Sequence, residues 1–492
     1  MQHTAVGILG AGLSGVLMGM QLQRAGISDF VIYERQADVG GTWLRNTYPG
    51  LHCDIPSHLY SYSFEPNPDW SMVYAPQREI QAYIRACAER HGLIERIRFG
   101  TTVERARWDS AEARWQLDIT AADVPEALRA SHRVLIGATG GLTEPRLPRI
   151  EGLDTFAGPM WHSGAWRDDV DLSGRSVAVV GSAASAVQVV PEVAQRAAAV
   201  TVFSRTPNWV MPRNNRTYQP PERDELRRDG AVRKLRRRQY RDALLWHRAF
   251  SRNPAAVAEL RRSGLDHLRS AISDPALIAA LTPDYEPGCR RILVSDEYYP
   301  ALAMAHVELV PQGVTALDTD AVVAADGSRH HADAVIFCTG YRLGGREDGR
   351  PAVEVVGRDG RRLIDALRAN PQAYRGIAVP GFPNYFTLPG INGVVGYGAV
   401  IASAEVASER IATETGLVVN GSCRTVEARL APTERFNAEI QAELATMSWA
   451  GACSNFYIDG AGRNVTFFPG TLGRMRRELR RVGGADLERS FS

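Results

Sequence analysis

Two stretches of the chain run an apolar strand straight into small residues and then into a helical pattern. The first is AVGILGAGLSG, from Ala5 to Gly15; the second is SVAVVGSAASA, from Ser176 to Ala186. A strand buried on both faces reads as a continuous apolar run, and its junction with a helix through small residues opens a βαβ unit. Two such openings commit the chain to an α/β architecture with two Rossmann-like units.

The first junction carries Gly10, Gly12 and Gly15 as G-x-G-x-x-G, followed by a helical pattern over Leu13–Ala25 and a strand over 29–34. Such glycines allow a tight turn, close approach of backbone to a pyrophosphate, and close packing of helix on strand. Glu34 ends the second strand. A carboxylate there accepts from ribose hydroxyls and repels a 2′-phosphate. The second junction is Gly181-Ser182-Ala183-Ala184-Ser185-Ala186, with Ala at the second and third glycine positions. Its next strand, AVTVF, ends in SRTP, so Arg205 stands where an acid is expected. A guanidinium there pairs with a 2′-phosphate through charge-assisted hydrogen bonds. The first site therefore predicts a nucleotide with free ribose hydroxyls and the second predicts NADP. Together they suggest a flavoprotein reduced by NADPH.

The rest of the chain organises around these units. Residues 97–120 alternate like an antiparallel meander, and 133–141 and 333–341 read as further buried strands. Residues 221–280 are Arg-rich and poor in β-formers, which predicts a helical insertion with a solvated basic surface. The predicted map is an FAD-binding domain from 1–150 and 370–492, an NADP-binding domain from 151–215 and 285–369, and the insertion over 216–284. The net charge of +2 gives no global field toward nucleic acid. No apolar run is long enough for a membrane span. The N-terminus enters a strand pattern at once, leaving no room for a signal peptide. The six cysteines are scattered and form no C-x-x-C. They read as reduced thiols of a cytoplasmic protein, with no metal site and no disulfide.

Between the two units lies FAGPMWHSGAW, that is Phe156, Gly158, His162 and Trp166 in the spacing F-x-G-x-x-x-H-x-x-x-W. With GGTWLRNTYPGLHCD, SRTPNW, GCRRILVSDEYYPAL, FCTGY, GFPNYF and a late CSNFY, it resembles the type I Baeyer–Villiger monooxygenases, within the flavin-containing monooxygenases. The resemblance spans nearly the whole chain. It departs in Arg167 after the fingerprint and in Phe456, where many members have Trp. The resemblance implies FAD and NADPH as cofactors, and a ketone and O2 as substrates. One oxygen atom would enter beside the carbonyl through a C4a-peroxyflavin, giving an ester or lactone. It implies Arg291 and Asp54 as the catalytic pair and Arg290 as a second contact to the NADP phosphate. It further implies flavin or NADP contacts from Ser14, Thr42, Trp43, Tyr60, Val103, Ser182, Ala183, Ser185, Thr206, Asn392 and Gly396, with Tyr62 and Phe64 walling the flavin. His162 is expected to serve structure or domain motion. Three alternatives stay open: oxygenation of sulfur or nitrogen, a reductase without oxygenation, and a flavin-binding interaction protein.

Overall fold

A computed structural model of the 492-residue chain describes all residues except 1, 122–123, 343–350, 452 and 492. The first unit is built from strand β1 (Gln2–Leu9), helix α1 (Leu13–Arg24) and strand β2 (Phe30–Tyr33). β2 pairs parallel to β1 on one side, and its four residues are all buried. Strand β3 (Ile97–Arg98) extends that edge in parallel. Strands β4 (Thr101–Asp109) and β5 (Arg114–Ala121) form an antiparallel hairpin whose burial alternates along β4, as a half-covered meander requires. Strand β6 (Val124–Gly137) serves both parts. It runs antiparallel to β5, while its register along β1, from Ala130 to Gly137, is parallel.

The chain returns to this sheet late. Glu354–Val356 pairs parallel with β4, and Tyr385–Thr387 pairs parallel with the end of β6. The return at Glu354 precedes the boundary expected at 370. Three strand residues between glycine- and arginine-rich neighbours are too few for a periodic signal. The helix Val400–Val419 then packs against α1 and closes the core.

The second sheet is wholly parallel, in the order Val307–Val310, Ala199–Phe203, Ser176–Val180, Ala334–Phe337, Met160–His162. The helix Ala186–Ala194 follows the central strand Ser176–Val180. The Arg-rich stretch forms four helices, Pro220–Leu226, Ala231–Phe250, Pro254–Ala271 and Pro275–Leu281. Arg236 of the second of these reaches back to the first unit. It donates to the backbone oxygen of His58, and to the backbone oxygen (3.0 Å) and Oγ (2.9 Å) of Ser61. Among the described residues, no helix is long and apolar enough to cross a membrane.

Candidate active site

The two glycine junctions are built alike. Gly10 has φ +100° and a Cβ there would lie 2.7 Å from the carbonyl oxygen of Ala138, at the end of the neighbouring strand. Gly181 has φ +119° and a Cβ there would lie 2.5 Å from the carbonyl oxygen of Cys338, the corresponding strand end. Both turns therefore press backbone on backbone where only glycine fits. Gly15 is tighter still, since its Cβ would sit 1.8 Å from the Gly10 oxygen. Gly12 caps α1, with Ser14 in the first turn. Glu34 is buried just past β2. Its Oε2 accepts from the Ala11 N–H at 2.7 Å and its Oε1 from the Gln36 N–H at 2.9 Å. The carboxylate is thus held beside the first turn. Val103 is a buried position of β4.

The loop from Gly40 joins this turn to the second unit. Gly41 packs its Cα face on Gly12, leaving 3.0 Å for a Cβ, and opens the short helix α2 (Thr42–Arg45). Trp43 is buried, and its Nε1 donates to the Tyr60 hydroxyl at 3.0 Å. The Tyr48-Pro49-Gly50 turn then seats on the helix Ala186–Ala194. Gly50 has φ +73° and a Cβ there would lie 2.6 Å from the Gln188 carbonyl oxygen. The Gln188 side-chain oxygen accepts from the His52 N–H at 2.8 Å. A cleft of about 180 Å³ runs along this seam. Thr42, Trp43, Asn46, Tyr48 and Asp54 line one side, and Ala184, Ser185 and Gln188 the other.

At the cleft Arg291 meets Asp54. Its Nε donates to Asp54 Oδ2 at 2.8 Å and its terminal nitrogen donates to the same oxygen. The Arg291 side chain keeps 44% of its surface accessible and that of Asp54 33%, so a bound molecule can reach the pair. The Asp54 charge pushes the guanidinium above its ordinary pKa against the opposing effect of burial. Tyr457 also engages Arg291; burial raises its phenol to about 12. Sequence reasoning left Tyr457 out of the site, although it closes the CSNFY motif. Asn46 was missed too: its Oδ1 accepts from the Tyr341 hydroxyl at 2.6 Å, tying the flavin-side loop to the FCTGY segment.

The NADP-side residues gather at the second turn. Ser182 Oγ donates to the Thr206 carbonyl at 3.1 Å, Ala183 is exposed, and Arg205 is exposed at the end of its strand. The Arg290 guanidinium lies 5.4 Å over the Tyr285 ring, and the Tyr285 hydroxyl donates to the Pro207 oxygen at 2.9 Å. Arg290 thus stands near the 205–207 turn, and its Nε is buried with no hydrogen-bond partner.

The fingerprint lies between the units. Phe156 is core, and Gly158 is needed because a Cβ would lie 2.3 Å from the Asp333 oxygen. His162 is buried, its Nδ1 accepts from the Gly164 N–H at 2.9 Å, and burial lowers its pKa to about 4. Its ring meets Tyr341 edge-on at 5.4 Å, and Trp166 meets Trp161 edge-on at 5.6 Å.

Two expectations are corrected. Tyr62 and Phe64 do not wall the cleft. Tyr62 is fully buried, its hydroxyl donates to the Leu13 oxygen at 2.8 Å, and Phe64 stacks on it and on Arg24. A backbone carbonyl at the start of α1 satisfies the phenol and fixes both rings against that helix. Asn392, whose side-chain amide donates to the Asn464 and Phe467 carbonyls at 2.7 and 2.8 Å, is buried beside the Gly390–Gly393 turn. The cysteines are not all free thiols. Cys289 and Cys453 form a disulfide with Cα atoms 6.1 Å apart, while Cys53, Cys87, Cys338 and Cys423 are free and buried. Folding brings together positions 164 residues apart, a proximity that spacing in sequence does not encode. Gly396 packs under the Trp449 ring, 2.2 Å from a Cβ placed there.

The flavin-binding monooxygenase-like family matches residues 3–226. A Baeyer–Villiger monooxygenase of Streptomyces coelicolor is 40% identical over 99% of this chain and 93% of its own. One from Pseudomonas aeruginosa is 37% identical over 96% of this chain and 89% of its own. Among solved structures, an oxidised steroid monooxygenase bound to NADP superposes with TM-score 0.86 at 26% identity, covering all of both chains.

Proposed function

The chain belongs to the Baeyer–Villiger monooxygenases, and we propose on that basis that it uses FAD and NADPH to insert one atom of O2 beside a ketone carbonyl, giving an ester or lactone. The observation that carries this reading is the Arg291–Asp54 pair, with Asp54 lining a cleft between the Thr42–Asp54 loop and Ala184 and Ser185 of the second turn. The residues fit the two cofactors. The Gly10, Gly12 and Gly15 turn with Glu34 suits the pyrophosphate and ribose of FAD. The Gly181 turn, exposed Arg205 and the unpartnered Arg290 Nε suit a nucleotide with a 2′-phosphate.

When bound, the flavin supplies the redox chemistry, taking hydride from NADPH and delivering activated oxygen. Arg291 holds a fixed positive charge where negative charge develops on oxygen and on the substrate carbonyl, and Asp54 keeps it protonated and aimed. A cation suits an oxygen nucleophile that must stay anionic to attack a carbonyl. Oxygenation of sulfur or nitrogen needs no such partner. Trp43, braced by Tyr60, shields the flavin-side loop from water. We place the protein in the cytoplasm, where NADPH is supplied.

The test is a panel of ketones and sulfides under 18O2 with product mass spectrometry. Esters or lactones carrying one labelled atom support the reading; sulfoxides alone overturn it.

A further inference from the structure

The Cys289–Cys453 bond joins two segments that matter to the cleft. Cys289 directly precedes Arg290 and Arg291, and Cys453 lies four residues before Tyr457, the phenol at Arg291. The contact around the bond is close. Asn455 Nδ2 donates to the Cys289 oxygen at 3.0 Å and the Trp449 oxygen at 3.1 Å, and a Cβ on Gly451 would lie 3.0 Å from Cys289 Sγ. Trp449 in turn stacks on Phe467 at 4.5 Å and covers Gly396. One wall, made of residues 449–451 and 453–457, thus reaches from the Gly396 loop to Arg291, and the disulfide fastens it to the segment that carries Arg291. Phe456 on this wall is 52% exposed, so packing alone covers it poorly.

We propose that this disulfide is a dithiol-exchangeable tether that positions this wall against Arg291, so that opening it uncouples NADPH consumption from oxygen insertion and leaves hydride delivery intact. The proposal rests on the monooxygenase reading above. Disulfides in a reducing compartment are characteristically transient and redox-sensing. Cys453 is half-buried and Cys289 is buried, which makes Cys453 the accessible sulfur. A reagent thiolate attacks Cys453 Sγ, the S–S bond breaks and Cys289 leaves as thiolate. The second reagent thiol then closes on the mixed disulfide, releasing Cys453. The protein gains two electrons and two protons, and the dithiol is oxidised to a cyclic disulfide. Hydride delivery is spared because the Gly181 turn, Arg205 and the Gly50–Gln188 contact lie outside the tethered wall, and Arg290 keeps its own hold on the Tyr285 ring, which is bonded to the 205–207 turn.

The test compares holoenzyme as purified with holoenzyme treated with dithiothreitol and desalted under nitrogen. Alkylation under denaturing conditions with intact mass should count four thiols before reduction and six after; six before reduction overturns the proposal. With a converted substrate, product formed per NADPH should fall at least about 5-fold on reduction, with matching hydrogen peroxide. Anaerobic flavin reduction by NADPH should change less than about 2-fold. A Cys289→Ser/Cys453→Ser enzyme should give the reduced value before and after dithiothreitol. Equal product per NADPH in the two redox states overturns the tether. If the double variant does not fold, the wild-type comparison decides. Sulfoxide as the only product would refute the ketone reading, and sulfoxide per NADPH would still test the tether. Ester formed equally well in both states would refute the tether alone.

Discussion

Arg291 gives two N–H donors to one carboxylate oxygen of Asp54, across 237 residues of sequence. That leaves the second Asp54 oxygen and part of the guanidinium directed elsewhere, which is what a pair poised for a reacting group requires. Arg291→Ala should keep FAD and be reduced by NADPH near the wild-type rate, because hydride transfer needs no cation at the oxygen. Ester formation should fall at least about 10²–10³-fold, the usual cost of removing a main electrostatic stabiliser. Stopped-flow reduction under nitrogen, followed by product assay in air, separates the two. Asp54→Ala should slow both steps, since Asp54 lines the cleft where hydride would pass as well as orienting Arg291.

Arg205 is exposed at the second turn, where it suits a 2′-phosphate. Arg205→Ala should raise KM for NADPH about 10–100-fold, matching the loss of one charge-assisted contact of about 1.5–3 kcal/mol. KM for NADH should barely move. Steady-state kinetics with both nucleotides checks this, and an equal rise for NADH would remove Arg205 from the phosphate site.

Gly15→Ala places a methyl where 1.8 Å separates it from the Gly10 oxygen, so the turn must open. The variant should lose at least about 90% of its bound flavin or fail to fold. Gly26→Ala is the control: its φ is +77° but nothing lies within 4 Å of the added atom. It should cost about 1–2 kcal/mol and retain flavin. Flavin absorbance per chain after gel filtration reads both.

Burial holds His58, His132 and His162 neutral, each with pKa lowered to about 4. His132 is pinned between the Tyr33 hydroxyl and Thr4 Oγ1, both at 3.0 Å, under Gly7. A folded pKa below the unfolded value means that the unfolded chain takes the proton first as pH falls. The stability from these groups is therefore complete above about pH 7 and is lost from about pH 6.5 down to 4. Each contributes on the order of 3 kcal/mol at most. Tm should be flat from pH 8 to 7 and drop steeply toward pH 5, and His132→Gln should flatten that drop.

Local chemistry was what the sequence showed best. A strand meeting glycines and then a helix is written in consecutive residues, so both nucleotide turns were readable from spacing, and Glu34 and Arg205 from the ends of the following strands. Arg291 and Asp54 were readable only through the family resemblance, since nothing local to GCRR distinguishes a cation paired with a distant carboxylate from a solvated surface pair. The cysteine pairing was invisible because proximity across 164 residues depends on the closed fold. Tyr62 and Phe64 were misassigned because an irregular loop has no period to say which side each ring takes. Glu354–Val356 was missed because three residues cannot set a rhythm.

Arg236 has a consequence for anyone cutting this chain. It sits on the helical insertion, yet its guanidinium carries the carbonyl ends of the loop that presents Tyr60, which in turn holds the Trp43 indole. The insertion is therefore not a detachable module. A shortened or transplanted version that looks complete from the NADP side would leave the flavin-side aromatic loop without its brace, so chimeras between relatives must exchange the insertion and residues 58–61 as one piece.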